Sequence, residues 1–131
     1  MAKMVHVMIR VLEEKRSLDF YSKGFGLTIS HRLDFDDFSL IYLRNKNSDM
    51  EIELTINKSR TDTYSLGDGY GHIAFCIDDL SKMHTSLETL GLEPTAIKEF
   101  APDDKLLARF FFVTDPDGYK IEVLQRHGHY Q

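Results

Sequence analysis

Four residues stand in two matched pairs: His6 with Glu53, and His72 with Glu122, at closely similar spacing. His6 opens the run His-Val-Met-Ile-Arg-Val at 6–11, and His72 opens His-Ile-Ala-Phe-Cys-Ile at 72–77. Glu53 sits in Met-Glu-Ile-Glu-Leu at 50–54 and Glu122 in Tyr-Lys-Ile-Glu-Val at 119–123. One His on a strand is ordinarily a surface or hydrogen-bonded residue, and one Glu a solvated one. A His…Glu arrangement repeated in equivalent places points instead to a metal site of two imidazoles and two carboxylates. Such ligands suit Ni, Co, Zn, Mn or Fe, whereas an all-oxygen set would suit Mg or Ca. Structural zinc usually fills four positions with Cys and His, and the chain has a single cysteine, Cys76. Four protein ligands on an ion that prefers six leave two positions for water or substrate, the arrangement of a Lewis-acid catalyst.

The elements that must position these residues can be read twice over. After His6 a strand runs to about residue 11, and residues 13–23 form a helix with Leu18, Tyr21 and Phe25 at helical spacing. After His72 a strand runs to about residue 77, and a helix starts at Asp78 or Asp79. Leu80, Met83, Leu87 and Leu90 form its apolar stripe, with an acidic cap in front and Gly91 as the stop. Further strands follow at 28–33, 39–43 and 50–56 in the first half, and at 95–100, 109–114 and 119–125 in the second. Asp-Pro-Asp-Gly at 115–118 is a hairpin turn.

The expectation is an α+β fold of two tandem βαβββ modules. They form a curved mixed sheet with a concave, metal-lined pocket and with the helices on the outer face. One domain covers 1–131: module 1 about 1–57, a polar connector about 58–70, module 2 about 71–125, and a tail 126–131.

Strand alternation assigns the faces. His6, Met8 and Arg10 share one, as do Glu51, Glu53, Thr55 and Asn57. His72 goes with Ala74 and Cys76, and Glu122 with Lys120 and Leu124. The opposite faces are apolar and belong beneath the helices. A polar inner face is costly to bury dry, so it should line a wet pocket.

Composition bounds the partners. A net charge of −5 argues against a nucleic-acid-binding surface. No apolar run approaches the roughly 20 residues of a membrane span, and the start lacks the apolar stretch of a signal peptide. One cysteine suits a reducing, cytoplasmic location.

Four segments carry a resemblance: Lys-Arg-Ser-Leu-Asp-Phe-Tyr at 15–21, Glu-Leu-Thr-Ile-Asn at 53–57, Gly-Tyr-Gly-His-Ile-Ala at 69–74 and Asp-Pro-Asp-Gly-Tyr-Lys-Ile-Glu at 115–122. With them the chain resembles the vicinal-oxygen-chelate superfamily and, within it, the glyoxalase I (lactoylglutathione lyase) family, over essentially its whole length. The Asp-Pro-Asp-Gly turn indicates only the fold; the Glu-Leu-Thr-x-Asn and Gly-Tyr-Gly-His-Ile segments together are more specific. The resemblance implies that His6, Glu53, His72 and Glu122 are the metal ligands. It also implies a homodimer in which each site takes His6 and Glu53 from one chain and His72 and Glu122 from the other.

The implied substrate is the hemithioacetal of methylglyoxal and glutathione, isomerised through an enediolate to S-lactoylglutathione. Glu122 would be the proton-shuttling base, and Glu53 a ligand and the opposite-face base. Arg10 and Asn57 would hold the glutathione moiety, Arg10 through its γ-glutamyl carboxylate. The short chain with His6, where longer zinc-using members have Gln, implies Ni(II), with Co(II) as substitute and Zn(II) behind both. One departure concerns the thiol: longer members carry an Arg four residues before the second His, where this chain has Asp68.

Lys98 and Lys105 fall in the loop that closes over substrate in relatives and read as solvated. So do His84 and His31, while His127 and His129 read as part of a frayed terminus. Cys76 reads as a small packed residue. The rival readings are an extradiol dioxygenase or thiol-transferring resistance enzyme, against which the extra carboxylate Glu53 argues, and a metal-free drug-sequestering protein.

Overall fold

The computed structural model describes all residues, 1–131, and divides them into two compact units, Met1–Ser65 and Leu66–Gln131. In the first unit β1 (His6–Arg10) leads through α1 (Glu14–Phe25) to β2 (Thr28–Asp34), β3 (Phe38–Arg44) and β4 (Glu51–Asn57). The second repeats the order with β5 (Ile73–Ile77), α2 (Leu80–Thr89), β6 (Lys98–Phe100), a single 3-10 turn at Pro102–Asp104, β7 (Ala108–Thr114) and β8 (Lys120–Gln125). The α+β class and the tandem βαβββ modules are therefore observed.

The strands form two four-stranded mixed sheets, in orders β1-β4-β3-β2 and β5-β8-β7-β6, rather than one continuous ladder. In each unit the first strand pairs parallel with that unit's own last strand, so each sheet is complete within its module. The helix supplies the crossover that a parallel pair needs.

The two helices begin differently and end alike. Asp79 caps α2 by accepting the Lys82 N–H at 3.0 Å, whereas Glu13 at the start of α1 makes no side-chain cap. Both stop where a glycine turns left-handed, at Gly26 (φ 67) and Gly91 (φ 74). There the next N–H reaches back, from Leu27 to the Tyr21 carbonyl at 3.1 Å and from Leu92 to that of Leu87 at 3.0 Å.

Each sheet buries its apolar face. Ile41 pairs with Leu54 and Leu43 with Ile52 in the first, and Phe111 with Val123 and Val113 with Ile121 in the second. All eight are buried, together with Phe20 and Tyr21 of α1 and Leu80 and Leu87 of α2. The predicted stripe of α2 fails at Leu90, which is 44% exposed because it falls at the C-cap, past the last packed turn.

His84 also departs from expectation. Its ring stands edge-on to Phe111 at 5.0 Å, and its Nε2 lies 2.9 Å from the Thr95 carbonyl, so it packs rather than floats in solvent. His31, Lys98 and Lys105 are exposed, as expected. The strand predicted over 95–100 shortens to its last three residues. Thr95 instead caps β7 from the side, its hydroxyl accepting the Phe112 N–H at 2.8 Å.

The terminus is tied down instead of frayed. Arg126 donates to the Ile77 carbonyl at 2.8 Å, His127 and Tyr130 exchange backbone bonds, and the His127 ring meets the Leu106 carbonyl at 3.2 Å. No helix of the chain is long and apolar enough to cross a membrane.

Candidate metal centre

In the first unit His6 and Glu53 meet. Met8 is the Cα partner of Glu53, and His6 lies two residues earlier on β1, so both side chains rise from one face. Nε2 of His6 is 3.0 Å from Oε2 of Glu53. The second unit repeats this step: Ala74 is the partner of Glu122, His72 lies two residues earlier, and Nε2 of His72 is 2.6 Å from Oε2 of Glu122. The structure thus forms each predicted pair within its own unit. Neither unit gathers three or more potential ligands.

Local contacts hold these positions. Tyr70, two residues before His72, donates its hydroxyl to the Lys120 carbonyl at 2.9 Å and stands edge-on to Tyr119 at 5.2 Å, which pins the entry to β5 against β8. Burial, helped by the Asp115 charge, pushes the Tyr70 phenol up to about 12, so it remains a donor across the biological range. The buried Asp115 carboxylate accepts the N–H groups of Asp117 and Tyr119, both at 2.9 Å, and Gly118 takes φ 95 to close the turn that launches β8 toward Glu122.

Two residues beside the carboxylates escaped sequence reasoning. Tyr42 is the cross-strand partner of Glu53, and Phe112 that of Glu122. The Tyr42 ring meets His6 at 5.6 Å and 75°, and the Phe112 ring meets His72 at 5.4 Å and 77°. Tyr42 brings a phenol to the face of Glu53, its cross-strand partner; burial first, and then the neighbouring Glu53 carboxylate, raise that phenol above its ordinary value. Thr55 Oγ1 also approaches Glu53 Oε1, at 3.4 Å. The signal for both aromatic residues was the alternation of their strands, but using it required the strand register.

Arg10 ends β1 opposite Thr55 and stands exposed on the His6 face. Asn57, on that face too, donates to the Tyr64 hydroxyl at 2.9 Å, and the Arg60 guanidinium covers the Tyr64 ring at 4.3 Å. In the second unit a cavity of about 240 Å³ opens beside Ala74, Cys76 and Leu124, with His129, Tyr130 and Gln131 of the tail as its far wall. Leu124 and Ala74 each lie two residues beyond Glu122 and His72 on the same face.

The donor set fits a divalent ion of intermediate softness. Each pair offers an imidazole nitrogen and a carboxylate oxygen; the 3.0 Å between His6 and Glu53 is the separation of adjacent ligands on bonds of about 2.1 Å, and the 2.6 Å between His72 and Glu122 has to widen slightly to admit the ion. Glu53 is 8% exposed, and a carboxylate buried that far requires hydrogen-bonding or charged partners, of which His6 and Thr55 are two.

Residues 3–123 match the model of the Glyoxalase/Bleomycin resistance protein/Dioxygenase superfamily. The chain belongs to this superfamily. Within the superfamily it is 34% identical to the lactoylglutathione lyase of Neisseria meningitidis serogroup A, over 95% of this chain and 91% of that one. The trypanothione-dependent glyoxalase I of Leishmania major superposes with a TM-score of 0.75 at 30% identity, over 95% of this chain and 87% of that one. The V278E mutant of glyoxalase I from Zea mays superposes with a TM-score of 0.82 at 28% identity, covering 96% of this chain and 45% of that one. This chain therefore spans about half the length of the maize enzyme.

Proposed function

We propose that the chain is an enzyme of the glyoxalase I type, a lactoylglutathione lyase that isomerises the methylglyoxal–glutathione hemithioacetal to S-lactoylglutathione. The observation that carries this reading is the duplicated His–Glu pair, His6 with Glu53 and His72 with Glu122, on equivalent strands of two modules. In the proposed holoenzyme these four residues hold one divalent metal, Ni(II) in preference to Co(II), with Zn(II) the poorest of the three. When bound, that ion supplies Lewis acidity to the two adjacent substrate oxygens on which negative charge develops.

The reaction itself is a proton relocation. Glu122 takes the proton from the carbon that bears sulfur and returns it to the neighbouring carbon, while the hydroxyl proton passes between the two oxygens. A ketone becomes a secondary alcohol and the hemithioacetal carbon becomes a thioester, with no net change of atoms or electrons and no redox cofactor. General-base catalysis of this kind contributes about 10²–10⁴-fold. Glu53 remains a ligand and serves as the opposite-face base.

Arg10 and Asn57 hold the thiol moiety at a distance from the reacting carbons, the guanidinium by paired bonds to a carboxylate. We take the thiol to be glutathione; the trypanothione dependence of the Leishmania relative makes trypanothione the competitor to include in any assay. The enzyme acts as a cytoplasmic homodimer in which His6 and Glu53 of one protomer meet His72 and Glu122 of the other.

The test is an isomerase assay on the methylglyoxal–glutathione adduct with chelated protein and metals added back. The chelated protein should be inactive, and Ni or Co should restore turnover far better than Zn. Equal restoration by Zn removes the metal assignment. No restoration by any metal, with the fold intact, removes the glyoxalase reading.

A further inference from the structure

The two metal-binding pairs are built alike on the backbone and differently around the carboxylate. Glu53 faces Tyr42 across the ladder and Thr55 two residues along its own strand; Glu122 faces Phe112 and Leu124 at the same two places. The aromatic rings hold their histidines at nearly the same distance and angle, 5.6 Å and 75° against 5.4 Å and 77°. What changes is oxygen. Glu53 has the Thr55 hydroxyl at 3.4 Å and the Tyr42 phenol as its cross-strand neighbour besides His6, and Glu122 has a phenyl ring and an isobutyl group in their stead. Burial follows the same order, with the Glu53 side chain 10% exposed and that of Glu122 15%.

We propose that Tyr42 is a positioning residue: its hydroxyl, with Thr55 in support, tethers the Glu53 carboxylate in one orientation, and Phe112 leaves Glu122 free to swing. The inference rests on the functional reading above and says what divides the labour between its two carboxylates. A base that collects a proton at one carbon and delivers it to the next must move between them. Both carboxylates meet an imidazole, Glu122 at the shorter distance, so the difference lies on the other side, where Glu53 alone faces a phenol; a carboxylate held from both sides is fixed, which suits a permanent ligand. Partners that orient a ligand from outside typically contribute about 10–100-fold to metal affinity. Tyr42 touches neither substrate nor metal in this account; it acts through Glu53.

The test uses the full-length protein and two single-atom changes, Tyr42→Phe and Phe112→Tyr. Titration of Ni or Co into the chelated protein should show Tyr42→Phe weakening the metal about 10–100-fold. The loss should be strongly non-additive with Glu53→Ala, because the carboxylate that the phenol tethers is then gone, and additive with Glu122→Gln. Phe112→Tyr should leave metal affinity within a few-fold of wild type and lower kcat about tenfold at unchanged KM, by giving Glu122 the tether it lacks. A merely structural Tyr42 would show additivity with both glutamates.

Wild-type metal affinity in Tyr42→Phe, or full additivity with Glu53→Ala, overturns the inference. Should Tyr42→Phe not fold, Phe112→Tyr decides alone, and an unchanged kcat there overturns it. A wild-type chain that binds no divalent metal and shows no isomerase activity brings down the functional reading and this inference together. A metal-binding, active wild type with an additive cycle brings down the inference only.

Discussion

The first unit surrounds its His–Glu pair with hydroxyl groups, from Tyr42 and Thr55, while the second surrounds an equivalent pair with Phe112 and Leu124. The backbone pairing that brings the two side chains together is the same in both: a parallel strand, a two-residue offset, and a Glu in the middle of the last strand. Pairing thus decides which residues meet, and the cross-strand neighbour decides what the carboxylate is free to do once there. A repeated fold can in this way carry two different chemical roles without any change in its ladders.

The largest expected effect separates the two glutamates directly. Glu122→Gln keeps an oxygen donor but cannot accept a proton, so kcat should fall by about 10²–10⁴-fold while metal stays bound. Glu53→Gln should be felt first in metal affinity, measured by titration of the chelated protein. Finding the metal loss at Glu122 and the turnover loss at Glu53 would invert the comparison.

Arg10→Ala sharpens it from the substrate side. Arg10 lies two residues beyond Met8, the partner of Glu53, at the far end of the same face. Its truncation should raise KM about 10–100-fold, in keeping with the loss of a charge-assisted bond worth about 1.5–3 kcal/mol. A variant with lowered kcat and unchanged KM would place Arg10 at the reacting carbons instead.

A smaller contrast lies in the helices. Asp79→Ala removes the N-cap side chain of α2, leaving only the Gln125 amide oxygen on the Leu80 N–H, and should cost about 1 kcal/mol in denaturant unfolding. Glu13→Ala removes no cap from α1 and should cost a few tenths at most. Equal losses would mean that capping does not distinguish the two modules.

Much of this was legible in the sequence because two periods coincide. Strand alternation put His6 with Glu53's face and His72 with Glu122's, and the internal repeat tied the two halves to each other. Tyr42 and Phe112 were not legible, since their partnership depends on the register of β3 on β4 and of β7 on β8. The loop from Arg44 to Glu51 does not fix the first of these by length alone. His84 read as solvated because its side chain is polar, yet it lies one turn after Leu80 and one before Leu87, on the buried flank of α2, where a carbonyl and a phenyl edge take its imidazole. The tail was misread for a related reason. Its polar residues carry no periodicity, and what holds them are backbone bonds between His127 and Tyr130 and the contact to Leu106. The splitting of the strands into two sheets follows from each first strand returning to its own module, which no residue pattern announces.

The central claim is that each unit carries half a site and that a complete site joins the first unit of one protomer to the second unit of its partner. Mixing the inactive variants His6→Ala and Glu122→Ala and letting subunits exchange tests it most directly. In a heterodimer with shared sites both lesions fall in one site and the other is intact. Closed symmetric dimers with independent sites and random exchange then return activity to roughly a quarter of wild type. Sites built within single chains would each keep one lesion, and a mixture that stays silent while heterodimers are shown to form contradicts the account.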